Sequence, residues 1–157
     1  MKKEYRCLVE RNLDTSRFFT HFVKKYGSGR KIIITDYYLS TNPYIRLRKK
    51  IEDDVVKYYL IKGTLGNKEI DEISEIRFKR MKRDAEHIIR KDFIGKILYE
   101  GETLWTELVT YKNKLYLSIE LETDKDNKPL IEVADILQFP NPEFFDKPLL
   151  EYLLNQG

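Results

Sequence analysis

The sequence predicts an α+β fold: eight mostly antiparallel strands closing into a β-barrel, or tunnel, with about three flanking helices. Three observations carry this expectation. Segments rich in β-branched and aromatic residues follow one another, punctuated by turn residues such as Ser40-Thr41-Asn42-Pro43, Glu52-Asp53-Asp54, Gly101 and Asn113. Along several segments charged and apolar residues alternate, and the sign of the charge differs from strand to strand. A run of antiparallel strands also removes its exposed edges by closing on itself, and eight strands leave room for side chains or one small ligand.

Taken in order, residues 4–11 read as a first strand, with Cys7 and Val9 on one face and Glu4, Arg6 and Leu8 on the other. Asp14-Thr15-Ser16 offers a helix N-cap, and Phe18, Phe19, Phe22, Val23 and Tyr26 follow at helical spacing until Gly27 or Gly29. His21 beside that stripe is expected in ordinary packing or a solvated position rather than in catalysis. Three strands over 31–39, 44–51 and 55–62 form a meander. Residues 68–73 read as a short acidic strand. From about Ser74, the positions Ile76, Met81, Ala85, Ile88 and Ile89 suggest a helix ending near His87 and Arg90. Strands are expected over 93–102, 103–111 and 115–123, with an extended segment over 130–137. A last helix, with Phe144, Phe145, Leu149, Leu150 and Leu153 on its apolar side, is expected over 143–154.

The 157 residues suit one domain spanning 1–157, and 41% apolar residues are enough for a substantial core. A net charge of +3 is too small to argue for nucleic-acid binding by itself, although cations bunch at 44–50, 77–83 and 90–96. The single Cys7 excludes an internal disulfide, and one Cys with two His cannot build a zinc cluster; a buried, inert thiol is expected. The N-terminus lacks the apolar core of a signal peptide and no window is long enough to span a membrane. A cytoplasmic protein is expected, with a virus or phage as an alternative source.

The chemistry concentrates on two stretches. In Tyr116-Leu117-Ser118-Ile119-Glu120-Leu121-Glu122, the residues Tyr116, Ser118, Glu120 and Glu122 share one strand face. In Tyr44-Ile45-Arg46-Leu47-Arg48-Lys49-Lys50, Arg46, Arg48 and Lys50 do the same, and Lys62 closes the run Tyr58-Tyr59-Leu60-Ile61. Two carboxylates on one face repel unless a positive group lies opposite. Acidic strands hold hard cations and basic strands hold phosphate oxygens, so together they suggest one polyphosphate site. If the charges all face water instead, the chain is a plain β-rich interaction domain.

The order of these features resembles the CYTH superfamily, the triphosphate tunnel metalloenzymes. The family's opening Glu-x-Glu-x-Lys is matched in part by Lys2-Lys3-Glu4-Tyr5-Arg6, with Lys2 replacing the first Glu and Arg6 standing at the basic position. Tyr38-Leu39 with Arg46 and Arg48 is similar to its Tyr-Leu and Arg-x-Arg segment. Leu60-Ile61-Lys62-Gly63 is similar to its Ile-Lys strand. Its later Glu-x-Glu is matched loosely by Glu69-Ile70-Asp71, with Glu72 in a competing register. Lys96 stands at the family's lysine, while Leu98 replaces the neighbouring arginine. Trp105-Thr106-Glu107, Ile119-Glu120-Leu121-Glu122 and Ile131-Glu132-Val133 resemble its Trp, Glu-x-Glu and Glu-Val-Thr segments.

The resemblance implies a metal-dependent hydrolase acting on a triphosphate-containing small molecule (inorganic triphosphate, a nucleoside triphosphate or thiamine triphosphate). Arg6, Arg46, Arg48, Lys62 and Lys96 would bind phosphate. Glu4, Glu69, Asp71, Glu107, Glu120 and Glu122 would hold Mg²⁺ or Mn²⁺, with Glu4, Glu120 and Glu122 at the chemistry. Because Lys2 and Leu98 depart from the pattern, a non-catalytic polyphosphate- or nucleotide-sequestering protein on the same fold is the alternative. A class IV-type adenylate cyclase is a further one. Tyr58 and Trp105 are the aromatics available to seat a base, although packing is the expected role of each. A monomer or homodimer is expected.

Overall fold

Period-two alternation fixes most of the chain as strand, and the computed structural model, which describes residues 2–64 and 66–156, shows where each begins and ends. The elements are β1 (Lys3–Glu10), α1 (Ser16–Tyr26), β2 (Ile32–Thr41), β3 (Tyr44–Glu52), β4 (Val55–Lys62), β5 (Glu69–Ile73) and α2 (Glu75–Met81). A 3₁₀ turn (Lys82–Asp84) leads to β6 (His87–Tyr99), β7 (Glu102–Tyr111), β8 (Lys114–Thr123), α3 (Lys128–Ile136), β9 (Glu143–Phe145) and α4 (Leu149–Leu154). Among the described residues the strands form one nine-stranded antiparallel sheet in the order β5-β4-β3-β2-β6-β7-β8-β1-β9.

The α+β, antiparallel architecture is therefore as expected, with one difference in closure. β5 and β9 remain the two edges, and no ladder joins them among the described residues. The sheet instead curls. Five strand steps separate β1 from β3, about 24 Å in a flat sheet, yet the charge of Arg46 on β3 acts on Glu4 of β1. The curl gives the sheet a concave face.

Three apolar clusters hold this shape. On the convex side, α1 and α3 cover β1 and β6–β8 through Phe19, Phe22, Leu130, Val133 and Ala134, packed on Cys7, Val9, Leu104, Ile119 and Leu121. Burying each of these large side chains contributes about 1.5–3 kcal/mol. Phe78 of α2 covers Leu47 and Leu60 of β3 and β4. On the concave side, α4 brings Leu149, Leu150, Tyr152 and Leu153 against Leu8, Tyr38, Ile89, Val109, Tyr111 and Tyr116, sealing part of that face with apolar and phenolic surface. Cys7 is buried, and burial pushes its thiol up to about 12, consistent with the inert role expected of it. No helix among the described residues is long and apolar enough to cross a membrane.

Three expected elements differ. The helix starting at Ser74 stops at Met81, and 87–99 is strand: Ile89 is fully buried while its neighbour Ile88 is exposed, the alternation of a sheet rather than a helical stripe. Residues 128–136 form α3 rather than an extended segment, with Pro129 in the first turn and Leu130, Val133 and Ala134 on the buried side at helical spacing. The helix expected from Glu143 is split into β9 and α4, because Pro148 lacks the N–H that a continuous helix needs there.

Gly95 sets the geometry of β6. The β6–β7 register shifts between Phe93 and Gly95, and Gly95 exchanges hydrogen bonds with the buried Thr106 hydroxyl: its N–H donates at 3.0 Å and its carbonyl accepts at 2.8 Å. The bulge moves even-numbered Lys96 and Leu98 onto the face used by odd-numbered Lys91 and Phe93 before it. It also receives the end of α1, where a Cβ on Gly95 would lie 2.3 Å from the Tyr26 carbonyl oxygen. Gly95→Ala is expected to cost about 1–3 kcal/mol, read as a lower urea midpoint.

Candidate functional site on the concave face

Directly paired residues of an antiparallel ladder share a face, so the register assigns the concave residues strand by strand. One row runs Arg6 (β1), Glu120 (β8), Trp105 (β7) and Lys96 (β6). Beside it lie the pairs Glu4–Glu122 and Ser118–Glu107. Across β2, β3 and β6 the same face carries Asp36, Arg46, Arg48, Lys50 and Lys91, since Asp36 pairs with both Arg48 and Ile89, and Ile34 pairs with both Lys50 and Lys91.

Two clusters of inverted composition result. In the first, the buried Arg6 guanidinium lies among three carboxylates, 2.6 Å from Glu120, 2.7 Å from Glu107 and 3.1 Å from Glu4, and it donates to the Ser118 hydroxyl at 2.6 Å. Burial alone would lower the pKa of Arg6, but Glu120, Glu107 and Glu4 outweigh it and hold the group charged. Burial raises Glu120, and Glu4 and Glu107 add to the rise against the pull of Arg6. Glu4 moves the opposite way: burial opposes its charge, but Arg6, Lys91 and Arg46 keep it below the usual value.

In the second cluster one carboxylate serves three cations. Asp36, with no exposed surface, accepts a bidentate pair from Arg48 at 2.8 and 3.0 Å. Lys91 lies 3.4 Å and Arg46 3.8 Å away. Burial would raise Asp36, but Lys91, Arg48 and Arg46 drive its pKa well below the usual range. Lys91 is lowered by burial and by Arg48 and Arg46, with Asp36 opposing. Arg46 donates to the Tyr38 hydroxyl at 3.0 Å, and its buried Nε, the atom 3.8 Å from Asp36, has no hydrogen-bond partner among the described residues. The clusters sense each other, since Glu107 raises both Arg48 and Lys91. Lys68, between β4 and β5, feels Arg46, Arg48, Glu4 and Glu122.

The structure thus gathers Glu4, Arg6, Arg46, Arg48, Lys96, Glu107, Glu120 and Glu122 on one face. It does not bring Lys62, Glu69 or Asp71 there. Lys62 pairs with Ile45 and lies, exposed, on the side of Leu60 and Leu47, and Glu69 and Asp71 pair with Lys62 and Leu60 on that same side. The competing register is the one observed: Glu72 pairs with Tyr59, which pairs with Arg48. Arg6 departs from its expected role too, being enclosed by carboxylates instead of open to phosphate. Glu132, expected on a strand, lies in α3 and accepts a hydrogen bond from Tyr99. Tyr58 packs on Phe78 with ring centroids 4.6 Å apart, as expected of a packing residue.

Asp36 and Lys91 were missed in the sequence. The signal for Asp36 was a lone acid inside the run Ile32–Tyr38, where a buried charge demands partners; Lys91 was hidden by the helix expected to run to Arg90.

For a divalent cation the donor chemistry is suitable: Glu4, Glu107 and Glu120 each give one oxygen to Arg6, and hard cations take carboxylate oxygen. Among the described residues no three acidic, His or Cys side chains are arranged to hold an ion by themselves. The fit is therefore that of Mg²⁺ with one or two carboxylates, completed by phosphate oxygens and water.

No family model and no curated protein matches the sequence. Solved structures share the fold. The PH1819 protein of Pyrococcus horikoshii superposes over 100% of both chains with a TM-score of 0.58 at 18% identity. HpAC1 from Hippeastrum, described as having a dominant triphosphatase activity, superposes over 99% of this chain and 96% of its own with a TM-score of 0.59 at 12% identity. A proposed adenylate cyclase from Bacillus halodurans covers 94% of each chain with a TM-score of 0.54 at 12% identity. At these identities the likeness is one of fold alone.

Asp36→Asn is expected to cost about 3–5 kcal/mol at neutral pH, because three cations lose their buried counter-charge. Folding depresses the Asp36 pKa from its ordinary 3.8, so its contribution is fully present above that value and fades as pH falls through the depressed folded value. Urea titrations of parent and variant should accordingly keep their separation from pH 7 down to about 4 and converge only as pH falls further.

Proposed function

We propose that the concave face binds and hydrolyses a triphosphate-containing small molecule with the help of a divalent cation. The observation that supports this most is the basic cluster: Arg46, Arg48 and Lys91 share one buried carboxylate, leaving excess positive charge on the same face as the acidic cluster. Arg46 and Arg48 offer planar donors to phosphate oxygens, and Lys91, Lys96 and Lys50 add point charges. Glu4 and Glu122 would hold the cation, which leaves the free oxygen of Glu120 to the water. When bound, it neutralises phosphate charge and polarises the phosphoryl group.

Glu120 is the best-placed proton acceptor in this reading. One of its oxygens is held by Arg6, its pKa is raised, and the free oxygen is available to take a proton from the attacking water. Water then forms the new bond to the terminal phosphorus as the bond to the bridging oxygen breaks, releasing phosphate and the shortened polyphosphate. Arg6 keeps Glu4, Glu107 and Glu120 oriented throughout.

A second reading has its own support. Lys2 stands where the resemblance calls for an acid, and Arg6 already occupies the centre of the carboxylates. A face so arranged would bind triphosphates without turning them over.

Tripolyphosphate and ATP are expected to raise Tm, and phosphate release should require Mg²⁺ or Mn²⁺; a raised Tm with no metal-dependent release would favour sequestration. Arg46→Ala, which leaves Asp36 with Arg48 and Lys91, should keep the fold and reduce kcat/KM by about 10²–10³, measured as phosphate release. Unchanged kcat/KM would remove Arg46 from the site.

A further inference from the structure

The geometry points to Trp105 as a stacking platform for a nucleobase, so that the triphosphate taken by this face is a nucleoside triphosphate. This rests on the triphosphate reading above and narrows it.

Trp105 is the only tryptophan of the chain and 39% of its surface is exposed. It lies outside all three apolar clusters, so core packing does not explain it. Of the other aromatics on this face, Tyr38, Tyr111 and Tyr116 are buried under α4, and Tyr44, Tyr59, Phe93 and Phe145 are half-buried, so Trp105 is the most open. The indole belongs to the concave row that also holds Arg6, Glu120 and Lys96. The Lys96 ammonium lies over its ring at 4.6 Å from the centroid, and the Phe93 ring is 6.1 Å away. Leu98, two residues beyond Lys96 on the same face, is 76% exposed. An open indole edged by Leu98, next to a paired carboxylate and a lysine, is an apolar step at the margin of a charged surface.

A bare triphosphate has no use for such a step. A nucleotide does: its base offers a π-face to the indole, and every base stacks, so the platform selects nucleotides over inorganic triphosphate without reading base identity. Lys96 leaves the ring as the base takes its place and is then within reach of the phosphate nearest the sugar.

Because Trp105 is the sole indole, intrinsic fluorescence reports on it alone. The hydrolysis-resistant methylene analogues of ATP and of tripolyphosphate are titrated with Mg²⁺, following fluorescence and calorimetric affinity. The nucleotide analogue should quench Trp105 and bind roughly 5- to 100-fold more tightly, whereas the triphosphate analogue should bind without stacking-type quenching. Trp105→Ala should abolish the preference and leave affinity for the triphosphate analogue unchanged; Trp105→Phe should restore part of it. Equal affinities in the parent, or a Trp105→Ala loss that falls equally on both ligands, would overturn the platform while leaving the triphosphate reading standing. Absence of binding by both ligands would overturn that reading and the platform with it.

Discussion

A charge buried in protein must be matched nearby, and that constraint organises this molecule. Arg6 answers three carboxylates and Asp36 answers three cations, each across a strand ladder. Either counter-charge alone falls short of its neighbours. The residual negative charge on β1, β7 and β8 therefore leans on the residual positive charge on β3 and β6, and that attraction favours the curl that brings the two halves of the sheet together. Electrostatics and curvature support one another: a flat sheet would leave Glu4 too far from Arg46 and Lys91 for them to lower its pKa.

On the proposed function, the same arrangement would prepare the face for its ligand. Donors locked by Asp36 and carboxylates locked by Arg6 lose little side-chain freedom when phosphate or cation arrives, so less of the interaction is spent on ordering. Arg48 is the most committed to Asp36, through its bidentate contact, and Arg46 the least, approaching it only at 3.8 Å through Nε.

Alternation made much of this legible in the sequence. It placed Glu120 with Glu122 and Arg46 with Arg48 correctly, because a strand with one buried face has little freedom to slip by one residue. It failed where two periods compete over a few residues. Ile88-Ile89 fits a helical stripe as well as a strand, and choosing the helix hid Lys91. Glu69, Asp71 and Glu72 lie in an exposed edge strand with no apolar face to fix its register, so only the pairing to β4 decides that Glu72 faces inward. The bulge at Gly95 could not be read from period two at all, and it determines that Lys96 and Leu98 lie on the concave face.

On the proposed reading, the near balance of charge within the face also restricts the form in which a substrate arrives. A bare triphosphate would meet the excess of the basic cluster but also the residual charge of Glu4, Glu107, Glu120 and Glu122, and repulsion from these would offset much of the gain. A triphosphate carrying Mg²⁺ presents opposite signs to the two clusters: phosphate oxygens to Arg46, Arg48 and Lys91, and the cation to the carboxylate oxygens that Arg6 leaves free. Arg6 then has a reason to be there beyond packing. By neutralising part of the carboxylate set it would weaken the hold on a free cation and favour one that arrives with its phosphate.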